Sequence, residues 1–370
     1  MLKLVLGTSG SGKTTLLYAR IRARAEAGEH SILLVPEQFT SSTEARIYRE
    51  LGDALSGMVE SYSFTSLAEH ILAIEGGAAV QTLTDAGRAV LVRRALEELQ
   101  DNVHYYYRHR RSAAFCQMAA ETIDELKSAG LSGQQLQELA RDCGTESAKL
   151  GELALIFQGY ESLLAGTGMD PADRLELAAD RLEAALARDE LPDFLREREV
   201  FIDEFDTFNA PKKRLMGAML AALPAVTVAL CEDGAPMQPG DLELFSGAKQ
   251  VAAQLRQLAR KNGAQVAAPE LLRRDLRHKD APGLAALTEL LETGSCTPPE
   301  SAPELRLFAA ASREEEARCA AAAIRRLMRQ GVRCGKIAVV CRDISLYRAA
   351  VRYEFRMAEI PLYCLSLIHI

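Results

Sequence analysis

Residues 7–14 read Gly7-Thr8-Ser9-Gly10-Ser11-Gly12-Lys13-Thr14 and satisfy G-x-x-x-x-G-K-[ST] at every fixed position. A short apolar run, Leu2-Lys3-Leu4-Val5-Leu6, precedes them. Thr14 to Ala27 follows with helical spacing, Leu17 and Ile21 lying four apart, and Gly28 closes it. Strand, glycine loop and helix is the context this motif needs. The glycines let backbone N–H groups close around phosphate oxygens without a Cβ in the way. The helix N-terminus adds partial positive charge where the anion sits. The pattern therefore assigns a nucleotide, ATP, to Gly7, Gly10, Ser11, Gly12, Lys13, Thr14 and Thr15. Lys13 reaches the β- and γ-phosphates and the Thr14 hydroxyl ligates Mg²⁺. The competing reading is a Gly/Ser-rich turn, which would have to match both flanks by chance.

The 370 residues are 48% hydrophobic, enough for two or three packed units. A net charge of −7 gives no global basic character to advertise nucleic acid, so any such contact must be a local patch. No apolar run approaches the ~20 residues of a membrane span. The N-terminus runs straight into a strand, so no signal peptide is expected. The eight cysteines are scattered without a C-x-x-C pair, which suits reduced, cytoplasmic thiols rather than a disulfide framework or a local zinc site.

Ser31-Ile32-Leu33-Leu34-Val35 reads as a buried parallel strand. It ends in Pro36-Glu37-Gln38-Phe39-Thr40, and Ser41 to Leu51 is helical. Polar groups at the carboxyl end of such a strand face the ligand crevice of an open α/β sheet; a capped turn is the alternative. Val59 to Tyr62 is a third strand, and Ser63 caps a helix through Ile74 that Gly76-Gly77 closes. From Thr84 to about Arg188 the texture becomes all-helical. Helices are expected around Leu91–Leu99, Phe115–Lys127, Leu150–Leu164 and Asp173–Ala187. Within this stretch lies His104-Tyr105-Tyr106-Tyr107-Arg108-His109-Arg110-Arg111. It reads either as aromatics and cations for stacking bases and pairing phosphates, or as a solvated helix end.

Val200-Phe201-Ile202-Asp203-Glu204 is an apolar strand delivering two acids, the Walker B pattern. Asp203 would hold the Mg²⁺ shell and Glu204 would polarise the attacking water. Val226 to Leu230 is the next strand, and Leu242 to Gly263 a helix. The chain loosens between Asp280 and Pro303, where a linker is expected. Strands at Glu304–Phe308 and Ile337–Arg342 then alternate with helices at Ser312–Gln330 and Ile344–Phe355, the start of a second α/β unit. The last six residues, Leu365-Ser366-Leu367-Ile368-His369-Ile370, match one reading frame of a transposon sequencing adaptor. They are expected to be an artefact ending a truncated read-through.

The order of these features is similar to the N-terminal part of the AddB family, the B subunits of bacterial AddAB helicase–nucleases. The resemblance rests on the phosphate loop near the N-terminus, on Leu34-Val35-Pro36-Glu37-Gln38-Phe39-Thr40, on Ser61-Tyr62-Ser63-Phe64-Thr65-Ser66-Leu67-Ala68, on Ile202-Asp203-Glu204-Phe205 and on Ile337-Ala338-Val339-Val340-Cys341-Arg342. It extends, more distantly, to UvrD-type superfamily 1 helicases. It implies a P-loop, RecA-like α/β lobe at 1–82 and 196–290 with a helical insertion at 83–195. A linker at 291–303 and the start of a second RecA-like lobe at 304–364 follow. It places Gln38 and Thr40, with Phe64 nearby, on a DNA-facing surface. It also implies an AddA-type partner in a heterodimer, single- and double-stranded DNA ends as substrate, and a role in recombination and repair. The nuclease domain and its iron–sulfur cluster would lie beyond this stretch, so none of the eight cysteines belongs to that cluster.

The chain departs from an active motor at Cys231-Glu232-Asp233-Gly234-Ala235-Pro236, where a UvrD-like enzyme would carry a glutamine; Gln238 falls too late to fill that place. No Q-x-x-R-like segment follows to supply an arginine to the γ-phosphate. Two further readings stand beside the AddB-like one. One is an active UvrD/Rep-like DNA helicase. The other is a scaffold that nucleotide stabilises but that does not hydrolyse it.

Overall fold

The apolar runs of the first 280 residues become six strands among the residues described by this computed structural model, which are 1–77, 81–236 and 244–364. The strands are β1 (Leu2–Gly7), β2 (Ser31–Leu34), β3 (Val59–Tyr62), β4 (Glu199–Ile202), β5 (Ala225–Cys231) and β6 (Glu270–Leu272). All pair in parallel, in the order β3-β2-β4-β5-β1-β6. Helices on both faces make this an α/β lobe with a RecA-like sheet. The period-two side-chain alternation explains why the central strands are apolar throughout. Leu4, Leu6, Ile32, Leu34, Val200, Ile202, Val226 and Val228 enter one core, while Val5, Leu33, Phe201 and Ala229 enter the other.

The second face is covered by α1 (Lys13–Glu26), α2 (Thr40–Leu51) and the one-turn α3 (Asp53–Ser56), through Leu17, Ile21, Ile47 and Leu51. The first face receives α4 (Phe64–Glu75), entered through a capping box between Ser63 and Ser66. The helical insertion follows as α5 (Asp85–Glu98), α6 (Ala113–Ser128), α7 (Gly133–Ala140) and α8 (Ser147–Leu164). Its separate core holds Leu91, Val92, Leu96, Ile123, Phe157 and Tyr160. α7 was not expected from the sequence.

α9 (Arg174–Ala187) was expected within the insertion, yet Ala178, Ala179 and Leu182 bury in the core of the sheet. Its alanine face lets it lie against α4 and against α10 (Ala210–Ala222). The insertion therefore closes earlier, where Met169 N–H donates to the Gln81 carbonyl at 3.0 Å and Leu83 N–H to the Met169 carbonyl at 3.0 Å. α11 (Ser246–Lys261) completes the first face with Val251, Ala252 and Leu255.

The chain divides into two units at Asp280/Ala281. The second contains α12 (Pro282–Thr293), α13 (Arg313–Arg329) and α14 (Ile344–Met357), with Ala321, Ile324, Val351 and Phe355 at its core. α12 occupies much of the stretch expected to be linker. Pro282 sits in its first turn and Gly294 caps its end in the left-handed region. The expected strands at Glu304–Phe308 and Ile337–Arg342 pair with nothing among the described residues. A strand exists through its ladder, and these segments have none; Leu307 stays 99% and Val340 90% exposed. No helix among the described residues is long and apolar enough to cross a membrane. The six residues expected to be adaptor lie outside the described residues.

Candidate nucleotide site

β1, β4 and β5 end at one edge of the sheet, with Gly7 in register with Cys231 and Ile202 with Val228. That edge is where ligands meet open parallel sheets. The chain leaves β1 through Gly7 and turns at Gly10 (φ 83°) and Gly12 (φ 90°), both left-handed. Gly12 then caps α1 with no side-chain hydrogen bond, and no acid sits in the first turn, so the helix presents open N–H groups. Lys13 Nζ donates to the carbonyls of Gly7 at 2.7 Å and Thr8 at 2.8 Å, which holds the ammonium across the loop. The Ser11 hydroxyl is buried without a hydrogen-bond partner among the described residues.

Asp203 follows β4 and is 6% exposed. Its backbone N–H continues the sheet to the Leu34 carbonyl at 3.1 Å, and its Oδ1 accepts the Glu204 N–H at 3.0 Å. Burial pushes the Asp203 carboxyl above the usual range, against the pull of the Thr14 hydroxyl, the Glu204 N–H, Lys13 and Arg46. Glu204 is also pushed up, first by burial and then by the Asp203 charge. Its backbone is left-handed at φ 66°, a costly conformation for a residue with a Cβ, which turns the chain sharply just after the paired acids.

The donors fit Mg²⁺. The Thr14 hydroxyl and the Asp203 carboxylate are hard oxygen ligands, and the carboxylate is buried, its proton affinity raised by that burial. Magnesium is held by one or two such groups plus water and phosphate rather than by an all-protein cage. No group of three or more His, Cys, Asp or Glu able to hold a metal gathers among the described residues.

Two features were not legible beforehand. Arg46, on α2, lies with its guanidinium carbon 4.7 Å from the centre of the Tyr18 ring and acts on both acids. The Tyr18 hydroxyl itself is pushed up to about 12, mainly by burial. The second feature is the segment after β6. Leu276 N–H donates to the Gly10 carbonyl at 2.9 Å, and Arg277 Nη1 donates to Ser9 Oγ at 3.2 Å. Asp275 Oδ1 accepts the Arg277 and His278 N–H groups at 3.0 and 3.1 Å, and Oδ2 lies 2.8 Å from His278 Nδ1. An arginine is thus present at the phosphate loop, arriving from residues far beyond the place where a motor motif was sought. The basic run Arg273-Arg274-Asp275-Leu276-Arg277-His278-Lys279 was the available signal.

The expected DNA-facing residues separate. Gln38 is exposed on a 3₁₀ turn (Glu37–Phe39) beyond β2, and Thr40 opens α2 with its hydroxyl donating to the Glu37 carbonyl at 2.6 Å. Glu37 Oε1 accepts the Thr65 hydroxyl at 2.9 Å, tying this turn to α4. Phe64 is different: it is fully buried, its ring centre 5.3 Å from that of Phe205 and 6.0 Å from that of Phe208. Following a capping serine, its side chain turns into the sheet's core, where an aromatic ring buries far more apolar area than it could against a nucleic acid. Thr15 is exposed on the first turn of α1. At the end of β5, Glu232 is 5% exposed, its Oε2 lacks a hydrogen-bond partner among the described residues, and burial pushes its carboxyl up. Gln238 lies outside the described residues.

Residues 4–288 match the family described as ADDB, N-terminal. Over 98% of its length the chain is 34% identical to the B subunit of the ATP-dependent helicase/deoxyribonuclease of Desulforudis audaxviator. It is 33% identical to the corresponding protein of Moorella thermoacetica and 32% to that of Symbiobacterium thermophilum, over the same share. It spans about a third of the length of these curated relatives, 32% in each case.

Proposed function

The chain belongs to the AddB N-terminal family, and on that premise we propose that it is the ATP- and DNA-binding front region of a B subunit of an ATP-dependent helicase/deoxyribonuclease. The observation carrying this is the convergence of Lys13, Thr14 and Asp203 at the carboxyl edge of the parallel sheet. Binding ATP draws the Lys13 ammonium from the Gly7 and Thr8 carbonyls onto the β- and γ-phosphates. The N–H groups of the loop and of the first turn of α1 take up the remaining oxygens. Thr14 and Asp203 would hold Mg²⁺, which would supply positive charge against the phosphates. Arg277 adds a guanidinium at the same loop, and Glu204 orients and polarises the attacking water. Gln38 and Thr40 contact single-stranded DNA across the carboxyl edge, on Phe64 as a buried support. The substrate class is DNA ends processed for recombination and repair in the cytoplasm, with an AddA-type protein as partner.

Nucleotide binding is tested by melting the chain with and without Mg-ATP. Lys13→Ala should weaken binding by ~1.5–3 kcal/mol, the worth of a charge-assisted contact, and equal melting shifts in both proteins would overturn the assignment. A second reading, nucleotide as a structural brace without turnover, is favoured by the acid Glu232 where a motor would carry an amide. ATP hydrolysis by the complete protein that Glu204→Gln abolishes would exclude it.

A further inference from the structure

The turn between α5 and α6 carries a motif of the sequence that the nucleotide site does not use. Its backbone is pinned: Glu152 of α8 accepts the N–H groups of His104 at 2.9 Å, Tyr105 at 2.8 Å and Tyr106 at 3.1 Å. Val103, fully buried, anchors the turn to the core of the insertion, and the Tyr106 ring stacks on Phe115 with centres 5.5 Å apart. The carboxylate nearest the turn is thus occupied by backbone donors rather than by arginines.

The cations are held by rings instead. The Arg110 guanidinium lies 3.9 Å from the centre of the Tyr107 ring, and that of Arg108 lies 5.9 Å from the exposed Tyr105. Among the described residues, Arg108, Arg110 and Arg111 pair with no carboxylate, whereas Arg93 and Arg94 on adjoining α5 pair with Glu97 and Glu98. Arg110 and Arg111 also line a groove of about 380 Å³ together with Ala89 and Val90, with Asp85 the one carboxylate along it among the described residues. In a chain of net charge −7 this is a local cationic face with an aromatic surface beside it. Guanidiniums carry donors in a planar fork matched to phosphate, and an exposed tyrosine offers a face on which any base stacks.

We propose that Tyr105, Arg108, Arg110 and Arg111 form a contact surface for single-stranded DNA on the helical insertion, separate from the sheet edge that carries Gln38 and Thr40. The arginines neutralise successive phosphates, and Tyr105 stacks a base without reading its identity. The surface rests on the DNA-binding reading above and extends it to the insertion.

The test is fluorescence anisotropy of a labelled oligothymidylate with the whole 370-residue chain across a salt series. Arg108→Ala/Arg111→Ala should weaken binding about tenfold and lower the slope of log affinity against log salt by about 1.4, since two phosphate contacts are lost. Arg108→Lys/Arg111→Lys should keep the slope. Tyr105→Ala should weaken binding about fivefold with the slope unchanged, as loss of stacking requires. The Mg-ATP melting shift of each variant checks that the lobe is folded. Unchanged affinity and slope in the arginine variants, with the parent chain binding, would overturn this surface alone. A parent chain that binds no oligonucleotide would overturn the DNA-binding reading, and this one with it.

Discussion

Asp170 offers the sharpest test of how the helical insertion is joined to the lobe. It is fully buried beside the Gln81–Leu83/Met169 pairing that forms the insertion's neck. Its Oδ2 accepts the Tyr160 hydroxyl at 2.8 Å and Lys127 Nζ at 3.3 Å, and its Oδ1 lies 3.8 Å from Arg88 Nε. Removing one partner from a buried ionic cluster costs about 3–5 kcal/mol, because charge is left without compensation. Here both cations keep another acid, Lys127 with Asp173 at 2.8 Å and Arg88 with Asp124, so the charge penalty falls at the low end. The orphaned tyrosine hydroxyl adds to it. Asp170→Ala should therefore lose about 3 kcal/mol in denaturant unfolding. Tyr160→Phe should lose only about 1 kcal/mol, and the double variant less than the sum of the two. Amide exchange at Leu83 and Met169 should accelerate in Asp170→Ala before exchange in the sheet does, because their hydrogen bonds close the neck. A loss under about 1 kcal/mol, or strictly additive variants, would mean the cluster is solvated and the neck is held by the apolar cores alone.

Three further outcomes follow from the same physics. Gly10→Ala places a Cβ 2.8 Å from Asp275 Oδ1 and 2.9 Å from Arg277 Cβ at φ 83°, while Gly28→Ala meets nothing within 4 Å at φ 79°. Both should lose the ~1–2 kcal/mol of a left-handed alanine, but only Gly10→Ala should also abolish the Mg-ATP melting shift; equal nucleotide responses would refute contact between the segment after β6 and the loop. Asp203 and Glu204 both sit above their ordinary values, so these two groups hold more protons in the folded state than in the unfolded one and their contribution to stability falls as pH rises from about 4. Mg²⁺ favours the charged forms, so the melting gain from Mg-ATP should grow as pH rises above about 4 and flatten in Asp203→Asn; a pH-independent gain would refute it. Glu232→Gln removes a buried charge whose Oε2 lacks a hydrogen-bond partner among the described residues, and should stabilise the chain by on the order of 1 kcal/mol at pH 8 and by nothing near pH 4, read as melting temperatures in the two buffers.

The parts of the fold that were legible are those whose cause is local. β1, β2, β4 and β5 are apolar because both of their faces are covered, and that signal lies within each strand. α1 and α4 announce themselves through the glycine loop that ends at Gly12 and the cap at Ser63, whereas α10, capped by Asn209, was not expected from the sequence. β6 was missed because Glu270-Leu271-Leu272 is three residues long and becomes a strand only through pairing with β1. The converse error has the same root: Ile337–Arg342 carries strand-forming residues, but composition supplies no partner. α9 was assigned to the insertion because its alanines look like those of its neighbours in sequence; which core it joins depends on α4 and α10, elements outside that stretch.

The candidate site divides along the same line. The loop, Lys13 and Thr14 are contiguous, and the acids sit at the end of a strand, so each half carries its own signature. What lies against them was hidden because it arrives from elsewhere. Arg277 reaches Ser9 across 268 residues, and Arg46 meets the acids from the middle of a helix whose periodicity explains it fully as a surface residue. A motif search looks for cations where relatives of known mechanism place them in the chain. The charge on a phosphate or a carboxylate depends only on distance and burial, and the chain can meet it from any direction its topology allows. The arginine sought just after β5 was therefore a question about position in sequence, whereas the guanidinium found at the loop belongs to Arg277, which meets Ser9 from a later segment. The fold provides one by laying the segment after β6, the strand beside β1, across the glycines, where the absence of Cβ atoms leaves room for it.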